Sequence, residues 1–390
     1  MDSIYFSLYN LQPVVWICAV LAVAAMLWLL SVYRGRVVSV SDAAAGDVDE
    51  PDDAAFPPVS IIVHANDNAG ALGAFLPEIF RQDYPAPFEV IVVNDGSAED
   101  VRDLVDRLSL QYRNLYQTFV PEQAHNLSRK KLGISLGIKA ARNPYVILTC
   151  AECRVASDRW LRFMATPFAK GKDVSLGFAR IDGLGGMKNR YDEAATAVKW
   201  LSEALAGKPY RGIGYNIGYS RALFFEAKGF SRSLTFHYGD DDLFINQIAT
   251  GGNTGVVLDP GSVLAVEWHD PRRLLRDLRM RHCFTERFLP KGASRFFAFS
   301  TIMLWIWLGA VVTGIVFSLP NALPACFFAA LVPALWIPLA KAWRNAGAVL
   351  GIGLPAWRLP FAMMGRWRRS LNYGLRCGRT SRRNYTWLQK

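Results

Sequence analysis

The chain alternates short apolar runs with segments of helical period. The apolar runs lie at residues 59–65, 88–93 and 144–149. The helical patterns lie at residues 71–82, 99–110, 129–141 and 158–168. Nearly continuous apolar strands that alternate with helices are typical of a parallel sheet covered on both faces. We therefore predict an α/β domain in this part of the chain.

Polar side chains follow each of these strands. Asn66, Asp67 and Asn68 follow the first strand, Asp95 follows the second, and Glu152 follows the third. Ligands of open α/β sheets bind beyond the carboxyl ends of the strands. The pattern therefore predicts a nucleotide site at this edge of the sheet.

The second half of the domain has a less regular pattern. Strands are expected at residues 174–180, 213–219 and 256–258, a glycine-rich loop at 182–186 and an amphipathic helix at 189–206. A further helix begins with Asp240, Asp241 and Asp242. Three adjacent carboxylates are either a helix cap with solvated neighbours or a base with polar contacts at a reaction centre. Three exceed what a cap needs, which favours the reaction centre.

Three long uncharged segments are predicted to cross a membrane. They lie at residues 13–33, 296–319 and 322–340. A cleavable signal peptide is disfavoured because Asp2, and no Lys or Arg, precedes the first segment. Basic residues flank the domain side of each segment, so the positive-inside rule places the domain in the cytoplasm. Residues 346–364 are broken by Gly and Pro, and we expect them to be interfacial or re-entrant.

Composition sets the domain boundaries. The chain has 390 residues, a net charge of +11 and a hydrophobic fraction of 52%, with the apolar excess at its ends. Residues 38–57 are rich in Ala, Asp and Pro without an apolar period, which predicts a flexible acidic linker. The expected order is an anchor (1–37), this linker, a cytoplasmic domain (58–295), two transmembrane helices (296–345) and an interfacial segment with a basic tail (346–390).

Two features of the domain leave alternatives open. The turn at Asp95 suits a carboxylate that binds a base or sugar, and equally one that caps the next helix. Arg129, Lys130 and Lys131 open a helix, where positive side chains oppose the macrodipole. A diphosphate would offset them, although a basic face beside an anionic membrane explains the same charges.

The tail and the cysteines indicate less chemistry. The tail after Met364 carries basic and aromatic residues and no acid. Aromatic rings could stack on bases, but the position after a membrane segment favours anionic lipids, so no nucleic-acid partner is expected. Cys150 and Cys153 have the spacing of a redox or zinc half-site. A structural zinc is disfavoured because no second pair or well-spaced His partner accompanies them.

As a set, the motifs of residues 58–295 resemble the family-2 glycosyltransferases, which are membrane-anchored inverting enzymes. The matching segments are Gln82-Asp-Tyr-Pro85, Val92-Val-Asn-Asp-Gly-Ser97, Arg129-Lys-Lys131 with Gly137-Ile138, Pro209-Tyr-Arg-Gly-Ile-Gly-Tyr-Asn216 and Gly239-Asp-Asp-Asp-Leu-Phe244. In the first strand, His64 and Asp67-Asn68 stand where the family has Pro and Asn-Glu. The resemblance implies a GT-A fold, a nucleotide-diphospho-sugar transferase domain with a Rossmann-like mixed sheet, flanked by transmembrane helices.

The resemblance also implies roles for particular residues. Those that would bind the nucleotide sugar are Ala65, Asn66, Asn68 and Asp95, with Lys130 near the diphosphate. Those that would carry catalysis are Asp240 as the base, Asp242 as the second matched carboxylate, and Asp241 between them. Those expected on the acceptor side and nearby are Tyr215, Asn216, Arg281 and His282.

One motif departs from the family. The Asp-x-Asp that holds a divalent metal reads Cys150-Ala151-Glu152 here. Mg²⁺ and Mn²⁺ prefer oxygen ligands, so Glu152 is the remaining candidate ligand and a metal is uncertain. Otherwise Lys130, Lys131 and Arg154 would neutralise the leaving group, or catalysis is lost. Processive members of the family carry Gln-x-x-Arg-Trp, which appears here in altered form as Leu278-Arg-Met-Arg-His282. This difference disfavours the synthesis of long polymers.

Three functional hypotheses follow. The first is an inner-membrane glycosyltransferase of cell-envelope polysaccharide assembly, which moves a sugar from a nucleotide sugar to a lipid-linked or glycan acceptor. The second is a catalytically degenerate relative that acts as a binding or partner subunit. The third, a membrane protein that binds lipid or nucleic acid through its tail, leaves the acidic residues at the strand ends unexplained.

Overall fold

The computed structural model describes residues 13–45, 51–96, 99–121, 128–234, 236–289, 291–319 and 321–379. Its strands are β1 (Val59–Ala65), β2 (Phe88–Asn94), β3 (Leu115–Phe119), β4 (Tyr145–Cys150), β5 (Cys153–Arg154), β6 (Val174–Leu176), β7 (Ala179–Ile181), β8 (Ile217–Ser220), β9 (Thr254–Val256) and β10 (Leu264–Val266). Its α-helices are α1 (Pro13–Trp28), α2 (Arg34–Ala45), α3 (Ala69–Phe80), α4 (Glu99–Ser109), α5 (Arg129–Ala140), α6 (Trp160–Ala169), α7 (Met187–Leu205), α8 (Arg221–Glu226), α9 (Asp242–Ile248), α10 (Pro271–Thr285), α11 (Lys291–Ser318), α12 (Ala322–Val349) and α13 (Leu359–Arg379).

The central sheet has seven strands in the order β3-β2-β1-β4-β8-β6-β9. The strands β3, β2, β1 and β4 are parallel, whereas β8 runs antiparallel to both β4 and β6. The β1 strand is buried at every position except the partly buried His64, because α-helices cover both of its faces. The predicted α/β sheet is therefore confirmed, and its mixed part begins at β8.

The three polar strand ends lie side by side. Ala65 pairs with Asn94, and His64 pairs with Cys150, in the registers of β1 with β2 and β4. The carboxyl ends of parallel strands meet at one edge of a sheet, so the loops after these residues share that edge.

The expected strand at residues 174–180 is wrong in one respect, because the segment divides into β6 and β7, which belong to different sheets. A second sheet has the order β5-β10-β7. The division falls at Gly177, where a Cβ atom would lie 2.6 Å from the Asn216 amide nitrogen. That nitrogen donates to the Phe178 carbonyl at 2.8 Å and turns the chain from one sheet to the other.

Three helices are long and apolar enough to cross a membrane, at Pro13–Ala45, Phe296–Ser318 and Ala322–Val349. The first is continuous through a π-helical turn at Leu29–Tyr33. Helix α1 packs along α11, and the Trp28 ring meets the edge of Phe299 with 4.8 Å between ring centroids.

The predicted linker is wrong for residues 38–45, which are helical in α2. Val37 and Val40 are buried against the rest of the protein, and Arg36 lies 3.7 Å from the Glu203 carboxylate of α7. The composition of this segment carries no apolar period, so only its tertiary contacts reveal the helix. Residues 46–50 of the linker lie outside the described residues.

Part of the basic tail binds the domain. Asp192 of α7 is buried, and it lies 2.5 Å from Arg279 of α10 and 2.7 Å from Arg369 of α13. Arg366 of α13 is a third cation at 3.4 Å. The lipid interpretation is therefore wrong for Arg366 and Arg369, which attach the C-terminal helix to the domain. Tail residues 380–390 lie outside the described residues.

Candidate active site

Asp95 lies at the shared edge of β1 and β2 and is largely buried. Its backbone N–H donates to the Ala65 carbonyl at 2.8 Å, which fixes the two loops against each other. Its carboxylate accepts a hydrogen bond from Arg129 Nε at 2.8 Å and lies 3.1 Å from His64 Nε2. The carboxylate is thus directed toward the start of α5.

The loop after β1 contains the other predicted nucleotide residues. Asn66 is exposed, Ala65 is buried, and Asn68 caps α3 by accepting from the Ala71 N–H at 3.2 Å. Asp67 adopts a left-handed φ of 47°, and a Cβ atom on Gly96 would lie 1.9 Å from its carboxylate. Only glycine fits at position 96, which lets the two loops touch.

The basic residues at the start of α5 have different partners. The Ser128 hydroxyl caps the helix and also donates to the His237 carbonyl at 3.1 Å. Arg129 binds Asp95, and the Lys130 ammonium lies 2.6 Å from the Asp240 carboxylate. Two consecutive side chains therefore connect the strand-end loops to the acidic triplet. The region between Asp95 and Asp240, which these two side chains line, is called the cleft below.

Lys131 does not face the cleft. It is fully buried, and its ammonium donates to the Phe236 carbonyl at 3.0 Å and the Tyr238 carbonyl at 2.7 Å. The expectation that it neutralises a leaving group is therefore wrong. Burial lowers the pKa of Lys131 to about 8, although the nearby carboxylates oppose that shift. Lys131 instead holds the loop that leads into Asp240.

The three carboxylates of the acidic triplet have different environments. Asp240 pairs with Lys130. Asp241 caps α9 by accepting from the Asp242 N–H at 2.7 Å, and it also accepts from the Gly214 N–H at 3.2 Å. Asp242 points the other way, accepts from the Thr285 hydroxyl and lies 3.6 Å from Arg211.

Their pKa values separate accordingly. Burial favours the neutral form of Asp240, but the Lys130 ammonium outweighs it and lowers the pKa of Asp240 to about 2. Burial, together with the Asp241 charge, raises the pKa of Asp242 to about 7. Desolvation opposes the charge of the partly exposed Lys130, yet Asp240 and Asp241 raise its pKa above the ordinary value. Asp240 is thus ionised and lies beside the Lys130 ammonium.

The predicted acceptor-side residues separate into two groups. The Tyr215 ring lies 5.8 Å from the Lys130 ammonium, and Arg281 stacks over Tyr238 with 4.7 Å between its guanidinium carbon and the ring centroid. Both therefore lie beside the triplet. Asn216 is fully buried and bonds Trp160, Phe178 and Ser262, so it holds the core rather than an acceptor.

His282 also lies away from the cleft. Its backbone carbonyl accepts from Arg211 at 3.3 Å, and it lines a cavity between α10, α11 and α13. Burial and the surrounding cations, Arg211 first among them, hold the pKa of His282 well below its usual range.

The metal slot after β4 contains one carboxylate. Glu152 accepts from the Asn68 amide at 3.3 Å. The Cys150 thiol is buried, and its sulfur lies 3.6 Å from that of Cys153. Burial raises the pKa of Cys150 well above its usual value, which disfavours the thiolate that binds metals. Within the described residues, no three His, Cys, Asp or Glu side chains form a group that could hold a metal ion.

The Arg154 side chain binds other groups of the protein. It donates to the Cys153 carbonyl at 2.7 Å and lies 3.1 Å from the Glu267 carboxylate. The expectation that it replaces the metal is therefore not supported by its contacts.

Sequence reasoning missed four residues that shape the site. They are His64 and Arg129, which bind Asp95, and Arg211 and Thr285, which bind Asp242. Arg129 was visible in the basic cluster, but nothing in the sequence distinguishes its direction from that of its neighbours. Arg211 and Thr285 are far from Asp242 along the chain, so their pairing with it had no local signal.

Comparisons with known proteins agree with this geometry. Residues 60–229 match the sequence profile of Glycosyl transferase family 2. The chain is 30% identical over 141 residues to an N-acetylglucosaminyltransferase of Bradyrhizobium sp. (strain ANU 289), an alignment that covers 35% of this chain and 90% of that protein.

A solved structure extends the likeness to nearly the whole chain. The mannosyltransferase PcManGT from Pyrobaculum calidifontis, in complex with GDP-Man and Mn²⁺, aligns with 94% of this chain and 96% of its own. Its TM-score is 0.51 at 17% sequence identity, so the likeness concerns the fold. The mixed sheet, the flanking helices and these matches confirm the GT-A fold and a transferase that uses a nucleotide sugar. The chain belongs to glycosyl transferase family 2.

Proposed function

We propose that the protein is a membrane-bound, inverting and non-processive glycosyltransferase with Asp240 as its catalytic base. It transfers a sugar from a nucleotide-diphosphate sugar to a lipid-linked or glycan acceptor. The nucleoside binds between Asp95 and the loop of Ala65, Asn66 and Asn68.

The main support for this proposal is a pair of adjacent ion pairs. Arg129 pairs with Asp95, and the next residue, Lys130, pairs with Asp240. Arg129 and Lys130 are consecutive, and they contact carboxylates of the two predicted half-sites at 2.8 Å and 2.6 Å. These contacts support one shared cleft for the donor half and the base half. A triplet on the far side of the domain would have had no such connection.

The geometry supports a single in-line displacement. Asp240 accepts the proton of the acceptor hydroxyl as that oxygen attacks the anomeric carbon, and the nucleoside diphosphate leaves with the electron pair of the broken bond. Lys130 is partly exposed, so it can turn from Asp240 toward the diphosphate. Loss of that ion pair raises the pKa of Asp240, and the carboxylate becomes a stronger base once donor is bound.

The residues of the metal slot do not fit a divalent ion. The name of the PcManGT structure includes Mn²⁺, but here a buried thiol replaces one oxygen ligand and Glu152 is the carboxylate that remains. We derive no step through a metal. The cations of the cleft are Lys130, Arg129 and Arg281, and the first of these is closest to the base.

Charge also supports an orientation in the membrane. Arg34 and Arg36 follow α1, and Lys341 and Arg344 lie near the domain end of α12. By the positive-inside rule, the domain lies in the cytoplasm and the short α11–α12 turn lies on the opposite side of the inner membrane.

The test compares Asp240→Asn with Asp103→Asn, which changes an exposed aspartate of α4. Membranes that contain each variant are incubated with nucleotide sugars and a lipid extract, and the release of nucleoside diphosphate is measured with and without EDTA. We expect Asp240→Asn to release diphosphate about 10²–10⁴-fold more slowly, because it removes the general base. Donor binding and the Asp103 variant should be unaffected.

Two results would overturn the proposal. Donor binding without release by the unaltered protein, across all sugars and acceptors, would favour the degenerate binding subunit. Full activity of Asp240→Asn would show that Asp240 is not the catalytic base. If EDTA abolished the release of nucleoside diphosphate and Mn²⁺ restored it, the residues after β4 would bind a metal. That result would contradict only our interpretation of the metal slot.

A further inference from the structure

A cavity of about 1130 Å³ lies between the domain and the candidate membrane span in α11. Helices α7, α10, α11 and α13 surround it, so it is formed where the domain meets a candidate membrane span. Neither the nucleotide loops nor the acidic triplet line it. The cavity is therefore separate from the donor pocket.

One end of the cavity is cationic. Its basic lining residues are Lys199, Arg211, Arg279, Arg287 and Arg366, and its acidic lining residue is Glu286. Glu286 offsets Lys199 at 2.5 Å, and Asp192 offsets Arg279 and Arg366. Arg287 donates to the Cys377 sulfur, a contact that supplies no negative charge. Arg211 lies 3.6 Å from Asp242, so the excess of positive charge is at Arg287.

Arg211 has unused hydrogen-bonding capacity. Its side chain is 3% exposed, and within the described residues its Nε has no hydrogen-bond partner. Its carboxylate neighbour, Asp242, has a pKa raised to about 7 by burial and is therefore partly neutral at physiological pH. An arginine Nε always carries a hydrogen, so this buried donor without a partner favours a ligand that accepts hydrogen bonds.

The other wall of the cavity is apolar and follows α11. Phe297, Ile302, Trp305 and Ile306 line it from one side of that helix. From Phe297 to Ile306 the helix rises about 14 Å, at 1.5 Å per residue. That is roughly half of the hydrocarbon thickness of a bilayer. A ligand that filled the cavity would thus have an anionic head and an apolar tail of lipid length.

We propose that this cavity binds a lipid with a phosphate-bearing head group. The phosphate lies against Arg211 and Arg287, and the hydrocarbon chain lies along α11. Arg211 contacts both the cavity and Asp242, so the head group lies one side chain from Asp242. The lipid site does not depend on the proposed function.

Binding is tested on the purified full chain in detergent with a diazirine-tailed phosphatidic acid as the probe. Cross-linked residues are mapped by mass spectrometry. We expect cross-links at residues 297–306 that phosphatidic acid suppresses, whereas diacylglycerol with the same tails and inorganic phosphate do not. Equal suppression by diacylglycerol, or suppression by inorganic phosphate, would overturn the proposal, because either would remove one half of the ligand.

A pair of tryptophan substitutions on α11 provides the control. Ala298→Trp fills the cavity and should reduce cross-linking at least fivefold. Val312→Trp lies on the same helix at an exposed position outside the lining and should not. Arg287→Gln keeps the cavity open and should weaken the binding of phosphatidic acid without creating binding of diacylglycerol. Unchanged cross-linking in Ala298→Trp would place the lipid elsewhere.

Discussion

At the residue scale, neighbouring side chains of the same type lie in different environments in this protein. Lys130 faces the cleft and Lys131 the core, although they are adjacent in α5. Asp240 is held ionised by Lys130, whereas Asp242 is turned into a buried pocket with Thr285. Successive residues of α5 point about 100° apart, so Lys130 and Lys131 enter different environments. Asp240 precedes α9, whereas Asp242 is its first residue, so these two carboxylates also point apart.

The raised pKa of Asp242 predicts a particular dependence of stability on pH. Burial and the Asp241 charge raise the folded pKa to about 7 from an ordinary value of 3.8, despite Arg211 and Thr285. Between these values the folded state binds the extra proton and the unfolded state does not, so this group makes stability fall as the pH rises. Asp242→Asn removes that contribution.

Thermal unfolding of the detergent-solubilised protein checks this prediction. The unfolding temperature of the unaltered protein, relative to Asp242→Asn, should fall by several degrees between about pH 4 and pH 7. Asp103→Asn, at an exposed position, should leave the pH dependence unchanged. A constant difference between Asp242→Asn and the unaltered protein across this range would show that Asp242 does not titrate there.

At the element scale, helix α5 positions the chemistry because it packs closely on β1 and β2. A Cβ atom at Gly137 would lie 2.7 Å from Ile62 and 2.9 Å from Val93. At Gly133 it would lie 2.9 Å from Val93. These two glycines bring the helix against the sheet, so that Arg129 and Lys130 at its first turn reach Asp95 and Asp240.

Gly137→Ala should therefore destabilise the protein and displace the first turn of α5. We expect a loss of about 1–3 kcal/mol in the free energy of unfolding, since the added methyl overpacks the helix–sheet contact. Donor binding should weaken as Arg129 moves from Asp95. Both effects are measurable by chemical denaturation and by titration with nucleoside diphosphate.

Gly70→Ala is the matched control for that substitution. Gly70 lies in α3, and a Cβ atom there would meet nothing within 4 Å. The change should stabilise the protein by about 0.4–1 kcal/mol, because it restricts the unfolded chain. If Gly137→Ala proved as harmless as Gly70→Ala, close packing of α5 would not be what positions the cleft.

At the scale of the whole molecule, the C-terminal helix closes onto the domain through one buried carboxylate. Asp192 offsets Arg279, Arg366 and Arg369, which come from α10 and α13. The Arg279 guanidinium also stacks over Tyr373 of α13, 4.1 Å from the ring centroid. This cluster forms one side of the cationic end of the cavity, because Arg279 and Arg366 line it.

Asp192→Asn should release α13 from the domain. The change leaves three cations beside a neutral amide, and removal of one partner from a buried charged cluster typically costs about 3–5 kcal/mol. We expect a lower unfolding temperature and faster proteolysis near the C-terminus. Asp277→Asn, an exposed aspartate of α10, should change neither, and equal protease resistance of the two variants would contradict the docking role.

The sequence predicted the elements of the first half of the domain well, because strands buried on both faces leave a continuous apolar signal. It was less reliable where a local pattern competes with a tertiary contact. Gly177 divides an expected strand because it meets Asn216, and α2 extends into the expected linker because it packs on α7. Asn216 matched a family motif, yet its amide is used entirely in the core.

The sequence by itself determined the parallel strands, the polar residues at their ends, the three apolar spans and the unusual metal slot. Each of these follows from residue types at short spacing, which the chain carries locally. The tertiary structure decided which of several like charges meet, because direction depends on helix phase and on packing between distant segments. The tertiary structure decided the ion pairs that join Asp95 to Arg129 and Lys130 to Asp240. It also decided the burial of Lys131 and the docking of α13 on Asp192.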